Sequence, residues 1–88
     1  MGKIKPRKEI QEFAIEMERK FRMRHGMIVD FNCIFVCLFR CLQEETRELE
    51  DAINDYDYDA IISEAADVAN FAMMISCNAL KFKKARHE

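Results

Sequence analysis

Residues 44–70 read EETRELEDAINDYDYDAIISEAADVAN, and two features of this stretch decide the fold. The first is punctuation. On either side of residues 54–59 (NDYDYD) apolar residues recur at helical spacing with no Gly or Pro to break it, while the Asn and Asp residues between them favour turns and N-caps. The expected result is a long antiparallel helix hairpin, with Asp57 or Asp59 capping its second arm. The second feature is two acidic pairs, Glu45 with Glu48 and Glu64 with Asp67, each spaced i, i+3 so that both carboxylates lie on one side of their helix.

Helical phase sets these acids apart from ordinary surface charges. At about 100° per residue, Ile34, Leu38, Leu42, Leu49 and Ala52 all fall within roughly 60° of Glu45, which places Glu45 in an apolar stripe and Glu48 at its edge. On the following helix Glu64 shares a sector with Val68, Phe71 and Ile75, with Asp67 about 60° to one side. An ionised carboxylate directed inward costs several kcal/mol unless it is paired or binds a cation. Hard oxygen donors with no His near by suit Mg²⁺, or Mn²⁺. A single E-x-x-E in a chain that is 34% charged is weak grounds for a metal, and solvated helix faces are the plain alternative. Two such elements, both inward by phase on helices joined by a short turn, favour the metal site. Arg40 and Arg47 are the cations that would otherwise neutralise the acids.

Outward from this centre, the chain reads as one domain over residues 1–88 with helices at about 6–25, 29–54 and 58–83. Pro6 suits a first helical turn, Ile10, Phe13, Ala14, Met17 and Phe21 follow the i, i+3, i+4 rule, and Gly26 ends the first helix. The second helix is expected to start near Ile28–Asp30. The third is apolar nearly all round, and Lys81–Arg86 are expected to fray. The fold class is therefore all-α, a helical bundle built on the hairpin plus an N-terminal helix. With 88 residues of which 50% are hydrophobic, one protomer has more apolar surface than it can hide, so the bundle should be completed by oligomerisation as a homo-oligomer, dimer or tetramer.

Other signals carry less. A net charge of −2 gives no long-range attraction to nucleic acid. The cluster Arg19, Lys20, Arg22, Arg24 and His25 could bind phosphates, but the C-terminal end of a helix favours cations in any case, and a solvated face is the simpler reading. Cys33, Cys37 and Cys41 fall at i, i+4, i+8 on one helix, which does not resemble a secreted disulfide framework; without a nearby His they read as buried small hydrophobes rather than zinc ligands. No charged-then-apolar leader opens the chain, and Asp67, Asn70 and Asn78 interrupt its longest apolar stretch, so a cytoplasmic protein with no membrane association is expected.

The acids also carry a resemblance. E-x-x-E, a spacer, then E-x-x-D is the signature of the MazG-like members of the all-α nucleoside triphosphate pyrophosphohydrolases. Here it reads Glu45-Thr46-Arg47-Glu48 and, after fifteen intervening residues, Glu64-Ala65-Ala66-Asp67. Glu44 before the first pair and Asn70 after the second are similar to the family's longer EExxE and ExxDxxN forms, and the likeness spans roughly Cys33 to Asn78. It implies hydrolysis of a nucleoside triphosphate between the α and β phosphates, giving monophosphate and pyrophosphate, with Mg²⁺ held by Glu45, Glu48, Glu64 and Asp67. Glu45, deepest in the apolar stripe, is the candidate base for the attacking water, and Asn70 and Lys81 are candidates for sugar or phosphate contact. Larger relatives carry a further helix, so here the N-terminal helix or a partner subunit has to complete the bundle.

Two other classes compete with the enzyme. A non-catalytic helical interaction protein would use the same acids in intersubunit ion pairs and would ignore metal. A carboxylate-bridged iron or manganese protein would require Glu-x-x-His on its helices, and the chain has none.

Overall fold

The computed structural model describes residues 2–23 and 35–86. They form three helices and no strand: α1 (Lys8–Met23), α2 (Phe35–Asn54) and α3 (Tyr58–Arg86). The expected end of the first helix around Arg24 and His25, the Gly26 stop, the start of the second near Ile28–Asp30, and Cys33 and Ile34 lie outside the described residues. Residues 2–7 are non-helical, so the first helix begins two residues later than Pro6. Arg7 supplies the carbonyl that accepts the Gln11 N–H at 3.0 Å, and the Pro6 carbonyl accepts from the Gln11 side chain. At the other end α3 continues to Arg86 instead of fraying from Lys81. Lys83, Lys84 and Arg86 occupy its last turn, where the exposed carbonyls favour positive charge.

The α2–α3 connection shows why the chain turns at this point. Asp57 N–H donates to the Ala52 carbonyl at 3.2 Å and Tyr56 N–H to that of Ile53 at 3.1 Å, the paired 6→1 and 5→2 bonds of a Schellman motif. The residue that must be left-handed in this motif is Tyr56, with φ of 52°, a position where Gly is usual. The next residue, Asp57, precedes α3 and caps it. The Asp57 side chain accepts the Ala60 N–H at 3.2 Å and its carbonyl accepts the Ile61 N–H at 2.8 Å, the geometry of an N-cap. Of the two expected caps, Asp57 is the one used.

α3 packs against both α2 and α1, while α1 and α2 do not pack on each other among the described residues. Phe35, which opens α2, meets Phe82 near the end of α3 edge to face, with ring centroids 5.8 Å apart. The buried line of α2 is Leu38, Glu45 and Ala52, one residue every two turns and in the phase expected. The buried line of α3 is different. Instead of centring on Val68, Phe71 and Ile75, which are half-buried, it runs through Ala66, Asp67, Asn70, Met74 and Asn78. A helix that is apolar nearly all round has no periodicity to select a face, and the partners supplied by α1 select this one.

Much apolar surface remains outside. Phe13, Ile15, Val36, Phe39, Ile62, Leu80 and Phe82 are among the exposed large side chains. Cys37 and Cys77 are exposed and Cys41 is half-buried, which corrects the expectation that the helical cysteines lie in the core: Cys37 is one residue, about 100°, off the Leu38–Glu45–Ala52 line. α3 is long and apolar enough to cross a membrane by length and composition, and 22% of its most apolar window is buried within the protomer.

Candidate functional site

Three of the four acids meet. Glu45 and Glu48 of α2 and Glu64 of α3 each offer a carboxylate oxygen, and the three oxygens all lie within 4.8 Å of one another. The i, i+3 spacing brings Glu45 and Glu48 together on α2, and the tight turn at Tyr56 and Asp57 sets the register that puts Glu64 opposite them. Burial grades across the group, with Glu45 at 5% exposure, Glu64 intermediate and Glu48 exposed. The cluster thus has a closed side at Glu45 and an open one at Glu48. One buried oxygen in each of Glu45, Glu64 and Asp67 receives no hydrogen bond, although all three side chains have other interactions.

The donor set fits a small hard cation. Mg²⁺ takes oxygen ligands at about 2.0–2.1 Å and so spans at most about 4.2 Å between opposite ligands. The carboxylate oxygens are already gathered to nearly that spread. They are all oxygen, with neither thiolate nor imidazole among them, so a cation held here would meet hard donors only.

Asp67 is not within this group. It is the most buried of the four acids, at 2% exposure, and Lys20 of α1 lies beside it, Nζ to Oδ2 at 3.5 Å. The same ammonium donates to Ser63 Oγ at 2.5 Å. Arg40 and Arg47, the cations that the sequence offers as the alternative to a metal, are exposed. The sequence places Lys20 in a basic cluster whose simpler reading is a solvated face, whereas in the structure its side chain is 14% exposed. Its signal was its phase, since Lys20 stands three residues after Met17 and seven after Phe13, on the apolar side of α1.

The two expected substrate contacts are placed apart from the acids. Asn70 is buried, and its amide donates to the Met17 carbonyl at 2.9 Å, tying α3 to α1. It lines an open cavity of about 270 Å³ together with Ala14, Met17, Glu18, Phe21 and Met73. Lys81 is exposed near the far end of α3, about 25 Å from Glu64 along the helix axis at about 1.5 Å per residue. Elsewhere on α1, Glu16 is held below its ordinary carboxyl value by the hydrogen bond from Arg19, against an opposing effect of desolvation.

Compared with family models, with curated proteins and with solved structures, the chain matches none.

Proposed function

We propose that the protein is a Mg²⁺-dependent nucleoside triphosphate pyrophosphohydrolase of the MazG-like type, converting a (deoxy)nucleoside triphosphate to its monophosphate and pyrophosphate. The observation that carries this reading is the meeting of Glu45, Glu48 and Glu64 from two helices, in a chain whose acids follow E-x-x-E and E-x-x-D in order. Glu45, Glu48, Glu64 and Asp67 would hold Mg²⁺, or Mn²⁺. A cation there supplies charge neutralisation for the phosphate oxygens, the main electrostatic need of this hydrolysis. Glu45, on the closed side, accepts the proton of the attacking water. Glu48 faces the open side, from which a triphosphate enters. Asn70 and Lys81 are the proposed sugar or phosphate contacts; because Lys81 is remote from the acids of its own protomer, this role falls to it across a subunit boundary.

The accompanying architecture is an antiparallel hairpin of α2 and α3 plus α1, completed by a second copy. Its support is the set of large apolar side chains left exposed on one protomer, among them Phe13, Ile15, Val36, Phe39, Ile62, Leu80 and Phe82, more than a small monomer usually leaves outside. We read α3 as a core helix of a cytoplasmic protein and not as a membrane span. Each ionisable group such as Glu64 or Asp67 would cost about 2.5–3.5 kcal/mol at the centre of a bilayer.

The rival reading is a non-catalytic helical interaction protein whose acids form intersubunit ion pairs; what favours it is that one of the four, Asp67, already takes a cationic side chain, Lys20 of its own protomer, as partner. Incubation of the purified chain with canonical and modified triphosphates, with and without Mg²⁺, separates the two. Pyrophosphate release that requires the metal and is lost in Glu64→Gln supports the hydrolase; no release across the panel leaves the interaction protein.

A further inference from the structure

Resting on the reading of the four acids as a cation site, we infer that Lys20 is a tethered competitor for that cation: it occupies Asp67 in the metal-free protein and so sets the affinity with which a divalent ion is taken up. The sequence places four acids in the motif, yet only three gather their oxygens within 4.8 Å. The fourth has been given a positive charge of the protein's own, 3.5 Å away.

Lys20 is not a surface lysine that happens to lean on an acid. Its side chain is 14% exposed, and its ammonium is held from two points one turn apart on α3, Ser63 and Asp67. The register that puts it there is fixed independently, because Asn70 Nδ2 bonds the Met17 carbonyl at 2.9 Å. From that bond to the Lys20–Asp67 pair, α1 advances by three residues and α3 retreats by three. The two contacts therefore belong to one docking of α1 on α3. Lys20's partner stands three residues after Glu64 on α3, one turn along the helix from the acid that α3 contributes to the cluster of Glu45, Glu48 and Glu64.

A divalent ion arriving at those three carboxylates meets a fixed ammonium of the same sign next to its fourth ligand. Unit charges a few ångströms apart interact by several kcal/mol at a protein-like dielectric, so a cation that must approach Lys20 or displace it from Asp67 binds more weakly than it would without it. Coupling of this kind is reciprocal. If Lys20 opposes the ion, the ion loosens Lys20 and, with it, the docking of α1.

The test uses the full chain as wild type, Lys20→Met and Lys20→Arg, titrated with MgCl₂ at constant ionic strength by calorimetry, alongside amide hydrogen exchange of residues 8–23 in the wild type with and without saturating Mg²⁺. Lys20→Met should bind Mg²⁺ about tenfold more tightly or better. Lys20→Arg, which keeps the charge, should stay within about threefold of wild type, and exchange through residues 8–23 of the wild type should quicken when Mg²⁺ is bound. Equal or weaker binding by Lys20→Met overturns the inference, as does unchanged or slower exchange in α1 of Mg²⁺-bound wild type. The exchange result decides alone if Lys20→Met does not fold. Wild type that binds Mg²⁺ without these responses refutes only the role of Lys20, whereas absence of Mg²⁺ and Mn²⁺ binding in all three proteins removes the cation site and the inference with it.

Discussion

Replacing Glu45 by Gln, with Glu64→Gln beside it, is the perturbation that most directly opposes function to stability. Three carboxylate oxygens lie within 4.8 Å of one another. At that separation two negative charges repel by about 3.5 kcal/mol at an effective dielectric of about 20, and by about 0.9 kcal/mol where water screens them fully. The first figure suits Glu45 against Glu64, which are buried and half-buried; the second suits Glu45 against the exposed Glu48. A glutamine in the same place must still be desolvated, which offsets part of the gain. A net stabilisation of the metal-free protein by about 1–2 kcal/mol remains, which for a domain of this size raises Tm by roughly 5–15 °C. Mg²⁺ should raise the Tm of wild type and do much less for either variant, since an amide oxygen is a weaker ligand than a carboxylate. Pyrophosphate release should vanish in both. Thermal melts of the three proteins with and without Mg²⁺ read all of this. If wild type ignores the metal and both variants melt lower by the equivalent of about 3–5 kcal/mol, the acids are partners of buried cations and the reasoning is refuted.

Three further expectations follow from the same structure. Sedimentation should find a dimer or tetramer at micromolar concentration, and a well-behaved monomer would contradict the completed bundle. Tyr56→Gly should stabilise by about 1 kcal/mol, since it relieves a left-handed non-glycine residue, whereas Asp57→Ala should cost about 1 kcal/mol through the lost N-cap; chemical denaturation distinguishes both from no effect. Glu16, with its folded pKa lowered from 4.5 by Arg19, contributes stability above its unfolded pKa and loses it as pH falls through the folded one. Arg19→Ala should return the Glu16 carboxyl to the ordinary range in an NMR titration, and an unmoved titration would show that the hydrogen bond is not the cause.

The sequence discloses α2 better than α3, and the reason is periodicity. Along α2 the apolar stripe is narrow enough that Glu45 could be assigned to it, and Glu45 is buried between Leu38 and Ala52. Along α3 apolar residues surround the helix, so the pattern could not show that Asp67, Asn70 and Asn78 occupy the buried line. Those polar groups are tolerated there because α1 supplies partners for two of them, Lys20 for Asp67 and the Met17 carbonyl for Asn70. Such partners come from a contact between residues some fifty positions apart, which helical phase within one segment does not encode. The meeting of Glu45, Glu48 and Glu64 was legible from spacing and turn chemistry. The pairing of Asp67 with Lys20 was not, because it joins segments far apart in the chain.

Asp57 closes α2 and opens α3, leaving no slack residue between the arms. A single insertion at the turn would break one of the two caps, and a single insertion within either helix would rotate everything beyond it by about 100°, carrying Glu64 away from Glu45. Growth is possible only by whole turns in both arms together, about 3.6 residues each. The spacer between the acidic pairs is therefore quantised, with a spacer about seven residues longer than the present one as the next permitted length.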